Sequence, residues 1–311
     1  MDAVVVDKLT KDYGNRSAIK DVSFSVRDGS IHGFLGPNGA GKSTTMKIMS
    51  GLLSATLGDV WIKGKKVSEN PNYVKKIVGI LPEELPLYEE MTVSDYLKFV
   101  GSIHGLKNNL AQRLSYTLDK TNLMDVKHRL IGNLSRGYKQ RVGVAQALIF
   151  NPEILILDEP TLGLDPANIK EMREFILELK KDHTIILSSH LLDQVSQVCD
   201  DITIIKNGSI VTSGAYQDII SRFRSTNIIA MELKVKDMTS LDKLVKQNDF
   251  IESVDIVGNA SSVLSVHFYL KREEDYRANL SQAVVEAKCN LLSMRQIKSD
   301  LEDVFLEVTK S

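Results

Sequence analysis

The stretch GPNGAGKST, Gly36 to Thr44, limits what this chain can fold into more than any other. Three glycines precede a lysine and two hydroxyl residues. Glycine accepts positive φ and lets other groups come close to the main chain. Such a run can turn successive N–H groups inward as an anion-binding nest. The residues before it, SIHGFLG (Ser30–Gly36), read as a buried strand. Those after it, STTMKIMSGLL (Ser43–Leu53), read as a helix in which Met46, Ile48, Met49 and Leu52 are apolar. A loop between strand and helix gains the partial positive charge of the helix N-terminus. Lys42 adds a full charge, and Ser43 a hydroxyl able to ligate magnesium. The pattern G-x-x-x-x-G-K-[ST] is met by Gly36, Gly41, Lys42 and Ser43, and it cradles nucleotide phosphates. Gly36, Pro37, Asn38, Gly39, Ala40, Gly41, Lys42, Ser43 and Thr44 are therefore the candidate phosphate-binding residues.

The surrounding chain suits that loop. DVSFSV (Asp21–Val26) alternates polar and apolar residues, as a half-buried strand does. GDVWIKGKKV reads the same way, with a turn at Gly64. From Met91 to Leu130 the pattern is helical, with Thr92 as a cap. Two buried strands follow, in EILILDEP and TIILSSH, separated by a helix over Ile169–Lys180. ITIIKNGSIVTSG reads as a hairpin turning at Asn207-Gly208. Alternating strands and helices predict an α/β core, a mostly parallel sheet with helices on both faces. After Arg224 the order is strand, helix, strand, strand, helix, strand, then a final helix in DLEDVFLEVT. That order predicts a ferredoxin-like α+β unit. Expected boundaries are residues 1–224, with a helical part near 90–135, and residues 225–311.

A second acidic motif completes the chemistry. The run ILILDEP ends in Asp158 and Glu159. A carboxylate at a strand end beside a phosphate loop can hold the metal's coordinated water, and its neighbour is placed to activate an attacking water. Composition narrows the alternatives. Net charge is −1, so there is no overall basic field for nucleic acid or an acidic membrane surface. Cys199 and Cys289 form no C-x-x-C pattern, which argues against a disulfide framework or metal site and fits a reducing compartment. The N-terminal residues MDAVVVDKLTKDYG do not read as a signal peptide. No run of about 20 apolar residues is long enough to span a membrane.

The motifs GPNGAGKST, LSRGYKQR (Leu134–Arg141), ILILDEP, LGLD (Leu162–Asp165) and SSH (Ser188–His190) occur in that order. Together they resemble the ATP-binding subunit of an ABC transporter over roughly Ala3 to Phe223. The LSGGQ-like signature distinguishes that superfamily from other P-loop ATPases. The resemblance implies an ABC ATPase cassette with a mixed sheet core, an antiparallel β subdomain and a helical subdomain. It also implies ATP and magnesium as cofactors and a division of roles. Tyr13 would stack on adenine, and Lys42 would hold the β and γ oxygens. Ser43 and Asp158 would position magnesium. Glu159 would be the general base, and His190 would contact the γ-phosphate and orient the water. Ser135 and Gly137, read as preceding the helix YKQRVGVAQALI, would cover the γ-phosphate held by a second copy. Asp165 would lie at that dimer seam.

Two positions depart from the family pattern. Arg136 and Tyr138 replace a glycine and a glutamine of the signature. Glu83, in VGILPEELPLY, stands where the family has a glutamine that meets metal, water and permease. A glutamate can accept or ligate there but cannot donate as an amide does. The LPEE and LSRGYKQRVGVAQAL variants, with the extra C-terminal unit, look like the subfamily that energises exporters of drugs, polysaccharides or lipids. The implied partners are a second copy and a separate membrane permease, placing the chain at the cytoplasmic face of the membrane. The alternatives are a soluble ABC ATPase acting on nucleic acid or ribosomes, and a P-loop kinase or GTPase. Against the first, this sequence shows neither the long coiled-coil insertion nor the second cassette that such members carry, and no polyanion footprint. The second requires LSRGY to be accidental. The C-terminal unit could stabilise a dimer, gate the permease or bind a regulator.

Overall fold

Asp2–Tyr13 (β1) and Arg16–Arg27 (β2) pair antiparallel, and apolar and polar residues alternate over the second half of β2. Val22, Phe24 and Val26 are buried, and the intervening Ser23 and Ser25 stay exposed. Leu57–Ile62 (β4) pairs with β1, and Lys65–Lys66 (β5) with β4, giving an antiparallel sheet ordered β2-β1-β4-β5.

The second sheet is made from continuous runs, as strands covered on both faces should be. Ile31–Leu35 (β3), Ile154–Leu157 (β7) and Thr184–Ser189 (β8) are buried at every residue. Val78–Leu81 (β6) and Asp201–Lys206 (β9) join them, all five parallel. Ser209–Ala215 (β10) returns antiparallel to β9 through Asn207-Gly208. The order is β10-β9-β3-β8-β7-β6. The computed structural model describes residues 2–190, 195–223, 227–234, 241, 244, 245, 248–260, 263–271, 275–287 and 289–297. The chain divides into two compact units, Met1–Tyr216 and Gln217–Ser311.

Helix Lys42–Met49 (α1) follows β3 and buries Met46, Ile48 and Met49 in one cluster with Val60 and Ile62 of the first sheet and Phe34, Ile156 and Ile186 of the second. Each fully buried methionine contributes about 1.5–3 kcal/mol, so packing from both sheets anchors the helix that closes the glycine loop. This helix is shorter than the sequence predicts. It ends at Met49, with Ser50 as C-cap, and Leu52 lies beyond it, 60% exposed. Pro71–Ile77 (α2) leads into β6.

The stretch after residue 90 forms two helices, Val93–Ile103 (α3) and Leu110–Lys120 (α4). Thr92 caps α3, as expected, accepting from Asp95 N at 3.1 Å. Val93, Leu97, Leu118 and Ile131 pack with Val142 and Ala145 of Arg136–Leu148 (α5) as a separate helical cluster. Pro166–Leu179 (α6) starts earlier than predicted because Asp165 is its cap. Tyr216–Phe223 (α7) follows β10.

The second unit is a sheet of Asn227–Lys234 (β11), Ile251–Ala260 (β12), Val263–Leu270 (β13) and Asn290–Ile297 (β14). Its order is β12-β13-β11-β14 and every pair is antiparallel, the order of a ferredoxin-like sheet. Helix Arg277–Glu286 (α8) contributes Leu280 and Val284 to its core, with Phe268 and Ile229 from the strands. Leu241 and Leu244 are buried in the same cluster. The expected final helix, DLEDVFLEVT, lies outside the described residues.

Candidate nucleotide-binding site

The glycine loop leaves β3 and enters α1 at Gly41, whose φ is +108°. A Cβ there would fall 2.4 Å from Ile19 Cγ2, so both space and conformation demand glycine. Gly36 is buried against Ile205 O, Ala40 is buried, and Pro37, Asn38 and Gly39 are exposed. Lys42 is only 6% exposed. Its Nζ donates to Gly36 O at 2.8 Å and Pro37 O at 3.4 Å, and faces Glu159 Oε1 at 3.3 Å. Thr45 Oγ1 is committed to Gly41 O at 2.9 Å. The half-buried Ser43 makes no side-chain hydrogen bond among the described residues.

Strand β7 delivers the two acids. Asp158 N donates to Leu81 O at 2.8 Å, and Asp158 Oδ1 accepts from Ser188 Oγ at 2.5 Å. Ser188 Oγ in turn accepts from Glu159 N at 2.8 Å. Glu159, at φ +50° and 5% exposed, directs Oε2 to His190 Nδ1 at 2.9 Å. Its Oε1 is buried with no hydrogen-bond partner among the described residues.

Asn38, Gly39, Gly41, Lys42, Ser43 and Glu159 border one cleft of about 840 Å³, shared with Thr44, Glu83 and Tyr13, whereas Asp158 and His190 do not line it and are tied to it through Ser188 and Glu159. Tyr13, at the end of β1, is 53% exposed, with Lys11 Nζ 5.4 Å from its ring centroid. Arg16 and Asn207 also face the cleft, and no sequence motif marks either as a site residue. Ser188 was missed too, although it stands in the SSH motif. Main-chain N–H groups, a buried lysine, an uncommitted hydroxyl and a carboxylate–imidazole pair can hold a polyanion and take up a proton. Among the described residues no cluster of three or more His, Cys, Asp or Glu could hold a metal by itself. Magnesium at such a place draws on one or two protein ligands and the phosphates. Ser43 and the buried Asp158 fit that need, and Glu159 Oε1, which faces Lys42 Nζ but makes no hydrogen bond among the described residues, is a buried acceptor open to a further donor.

Ser135, Gly137 and Asp165 are not part of this cleft. Ser135 caps α5, its Oγ accepting from Tyr138 N at 3.5 Å. Gly137 lies inside the first turn of α5 rather than before it, because the cap begins the helix one residue after Ser135. Asp165 caps α6, accepting from Asn168 N at 2.9 Å and Asn168 Nδ2 at 2.6 Å. The backbone N–H of Asn168, then its amide, hold the Asp165 carboxyl below its usual range. Ser135 and Asn168 border a separate cavity of about 530 Å³. A third groove, of about 730 Å³, is bordered by Leu52, Tyr88, Phe99 and Ile103, with Lys75 and Lys76. Leu52, Tyr88, Phe99 and Ile103 are all exposed apolar residues. No helix among the described residues is long and apolar enough to cross a membrane.

Residues 19–162 match the ABC transporter family. The uncharacterized ABC transporter ATP-binding protein YxlF of Bacillus subtilis is 34% identical over 304 residues, covering 97% of this chain and 98% of the relative. The bacitracin transport ATP-binding protein BcrA of Bacillus licheniformis is 32% identical over 302 residues, covering 96% of this chain and 95% of the relative. A solved ATP binding subunit of an ABC transporter superposes with a TM-score of 0.65 at 33% identity, covering 71% of this chain and 93% of that chain.

Proposed function

This chain belongs to the ABC transporter family as an ATP-binding, ATP-hydrolysing subunit, and from that premise we propose how its residues perform the work. Two copies close head to tail on two ATP molecules, and a separate membrane permease converts closing and opening into export. The observation that carries this reading is the split between two half-sites. One chain places Lys42 and Glu159 at one cleft and Ser135 at another cavity. A second copy is needed to bring a signature serine to a phosphate loop.

In this reading Gly36 to Thr44 cradle the phosphates, and Lys42 exchanges its loop carbonyls for phosphate oxygens. Ser43 and Asp158 would hold magnesium, with Glu83 at the edge of the same cleft. Bound magnesium neutralises charge developing on the phosphate oxygens. Tyr13 offers its exposed ring to adenine. Glu159 takes the proton of the attacking water on Oε1, the oxygen left without a hydrogen bond. His190 fixes the carboxylate through Oε2 and faces the terminal phosphate. Ser135 and Gly137 cover that phosphate from the second copy, beside Asp165. Loss of the terminal phosphate removes those contacts and opens the pair.

The permease is assigned to the apolar groove of Leu52, Tyr88, Phe99 and Ile103. Exposed apolar patches of this kind mark interaction sites, and a segment with an apolar centre and an acidic end suits its lysine rim. The chain then sits at the cytoplasmic face of a membrane through that partner. Export, rather than import, rests on likeness to relatives such as the bacitracin transport protein. The division into domains 1–224 and 225–311 belongs to the same proposal; the two compact units support a two-part chain, although their boundary falls between Tyr216 and Gln217.

Glu159→Gln tests the reading. It should lower turnover by about 10²–10⁴-fold while ATP still binds. With ATP and magnesium, the tagged variant should capture a multi-span protein from solubilised membranes, and Phe99→Glu should abolish the capture. Recovery of only ribosomal or nucleic-acid-associated partners would contradict the transporter assignment of this subunit's partner.

A further inference from the structure

Arg136 is the signature position that departs most in charge from the family pattern, and the proposed cycle gives it no task. Its guanidinium is seated rather than loose. It lies against Gly163, where a Cβ would come within 2.3 Å of Arg136 Cζ. Gly163 has φ +70°, so glycine there serves both the turn and the arginine. Gly137 similarly abuts Asn168, the residue bound to Asp165. The first turn of α5 therefore rests on the loop that opens α6.

The charge of Arg136 has no counterpart among the described residues. Lys139 of the same helix pairs with Glu89 at 2.6 Å, and Arg141 pairs with Glu171. Asp165, the acid at the end of the loop that Arg136 touches, commits both oxygens to Asn168. Arg136 is exposed and makes no hydrogen bond or ion pair among the described residues. A positioned guanidinium beside Ser135, with no internal anion, is complementary to an anion brought from outside. Guanidinium binds phosphate through paired N–H donors, which a glycine at this position cannot do.

We propose that Arg136 contacts the terminal phosphate of ATP held by a second copy, so that each copy completes its neighbour's site with a cation as well as a hydroxyl. The inference rests on the two-copy reading above. It makes closing of the pair depend on the triphosphate, because ADP lacks the group that Arg136 meets. It also makes closing sensitive to salt, since Arg136 is screened while the pair is open.

The test is sedimentation equilibrium of Glu159→Gln with ATP and magnesium, alone and combined with Arg136→Gln, Arg136→Lys or Lys139→Ala. Arg136→Gln should raise the dimer Kd about tenfold or more, the scale of one charge-assisted contact. Arg136→Lys should raise it less. Lys139→Ala, which removes a cation already paired, should change it less than about twofold. Equal Kd values for the arginine and glutamine forms would overturn the inference. So would a loss in the lysine form as large as in the glutamine form, since packing on Gly163 would then be the whole effect. Failure of Glu159→Gln itself to dimerise would instead overturn the two-copy reading.

Discussion

Ser188 Oγ donates to Asp158 Oδ1 and accepts from Glu159 N, so one buried hydroxyl fixes both acids at the end of β7. Glu159 needs that support, because its backbone is in the left-handed region at φ +50°. Removing the hydroxyl leaves a buried N–H without its partner, at a cost of about 1–3 kcal/mol. In the proposed mechanism the loss is felt at the general base. Ser188→Ala is expected to lower kcat by about 10–100-fold, as loss of a supporting group around a catalytic centre does. The KM for ATP should move only a few-fold, because the phosphate loop is untouched. Ser188→Thr, which keeps a hydroxyl, should recover part of kcat. Steady-state kinetics on the two variants check this, and an unchanged kcat in Ser188→Ala would remove Ser188 from the mechanism. The acids were legible in the sequence because they end a charge-free apolar run. Ser188 was not, because a hydroxyl inside a buried strand has no sequence signature beyond its place in SSH.

Strand β3 shows what an element adds to its residues. His32, its second residue, is stacked on Phe24 with ring centroids 5.5 Å apart. Nε2 meets Thr203 Oγ1 at 2.8 Å, and buried Nδ1 has no partner among the described residues. Burial pushes the imidazole down from 6.5 to about 4, with Asp201 opposing and Arg27 adding to the shift. The unfolded chain therefore takes up a proton near pH 6.5 that the folded chain refuses until about pH 4. Stability is fully present above pH 6.5 and falls as the pH drops towards 4, by about 3 kcal/mol in all. Urea midpoints at pH 7 and pH 5 should show a larger fall for the wild type than for His32→Gln. Equal falls would assign the acid sensitivity to other groups. Elements with a strong period were legible: β3, β7 and β8 as apolar runs, and α3 from Thr92. Boundaries set by caps were not. Asp165 begins α6 ahead of its apolar stripe, and α1 stops at Met49 although Leu52 continues the pattern. Leu52 is apolar for the groove it borders rather than for the core.

At the scale of the molecule, a single chain carries a cleft at its phosphate loop, a separate cavity at Ser135 and an apolar groove. Lys42, Ser43 and Glu159 were legible as one site because the loop and the strand end are recurrent solutions to phosphate binding. Their separation from Ser135 and Asp165 was expected only through the family resemblance, since sequence order cannot say which cavity a residue borders. The C-terminal sheet was legible from its strand order, yet its described residues hold no constellation that assigns it a task. In the proposed cycle ATP, and not ADP, joins two copies. The most direct measurement is the mass of Glu159→Gln in solution, by sedimentation, with magnesium and either nucleotide. Glu159→Gln should be a dimer with ATP and a monomer with ADP. A mass that is the same with both nucleotides would contradict it.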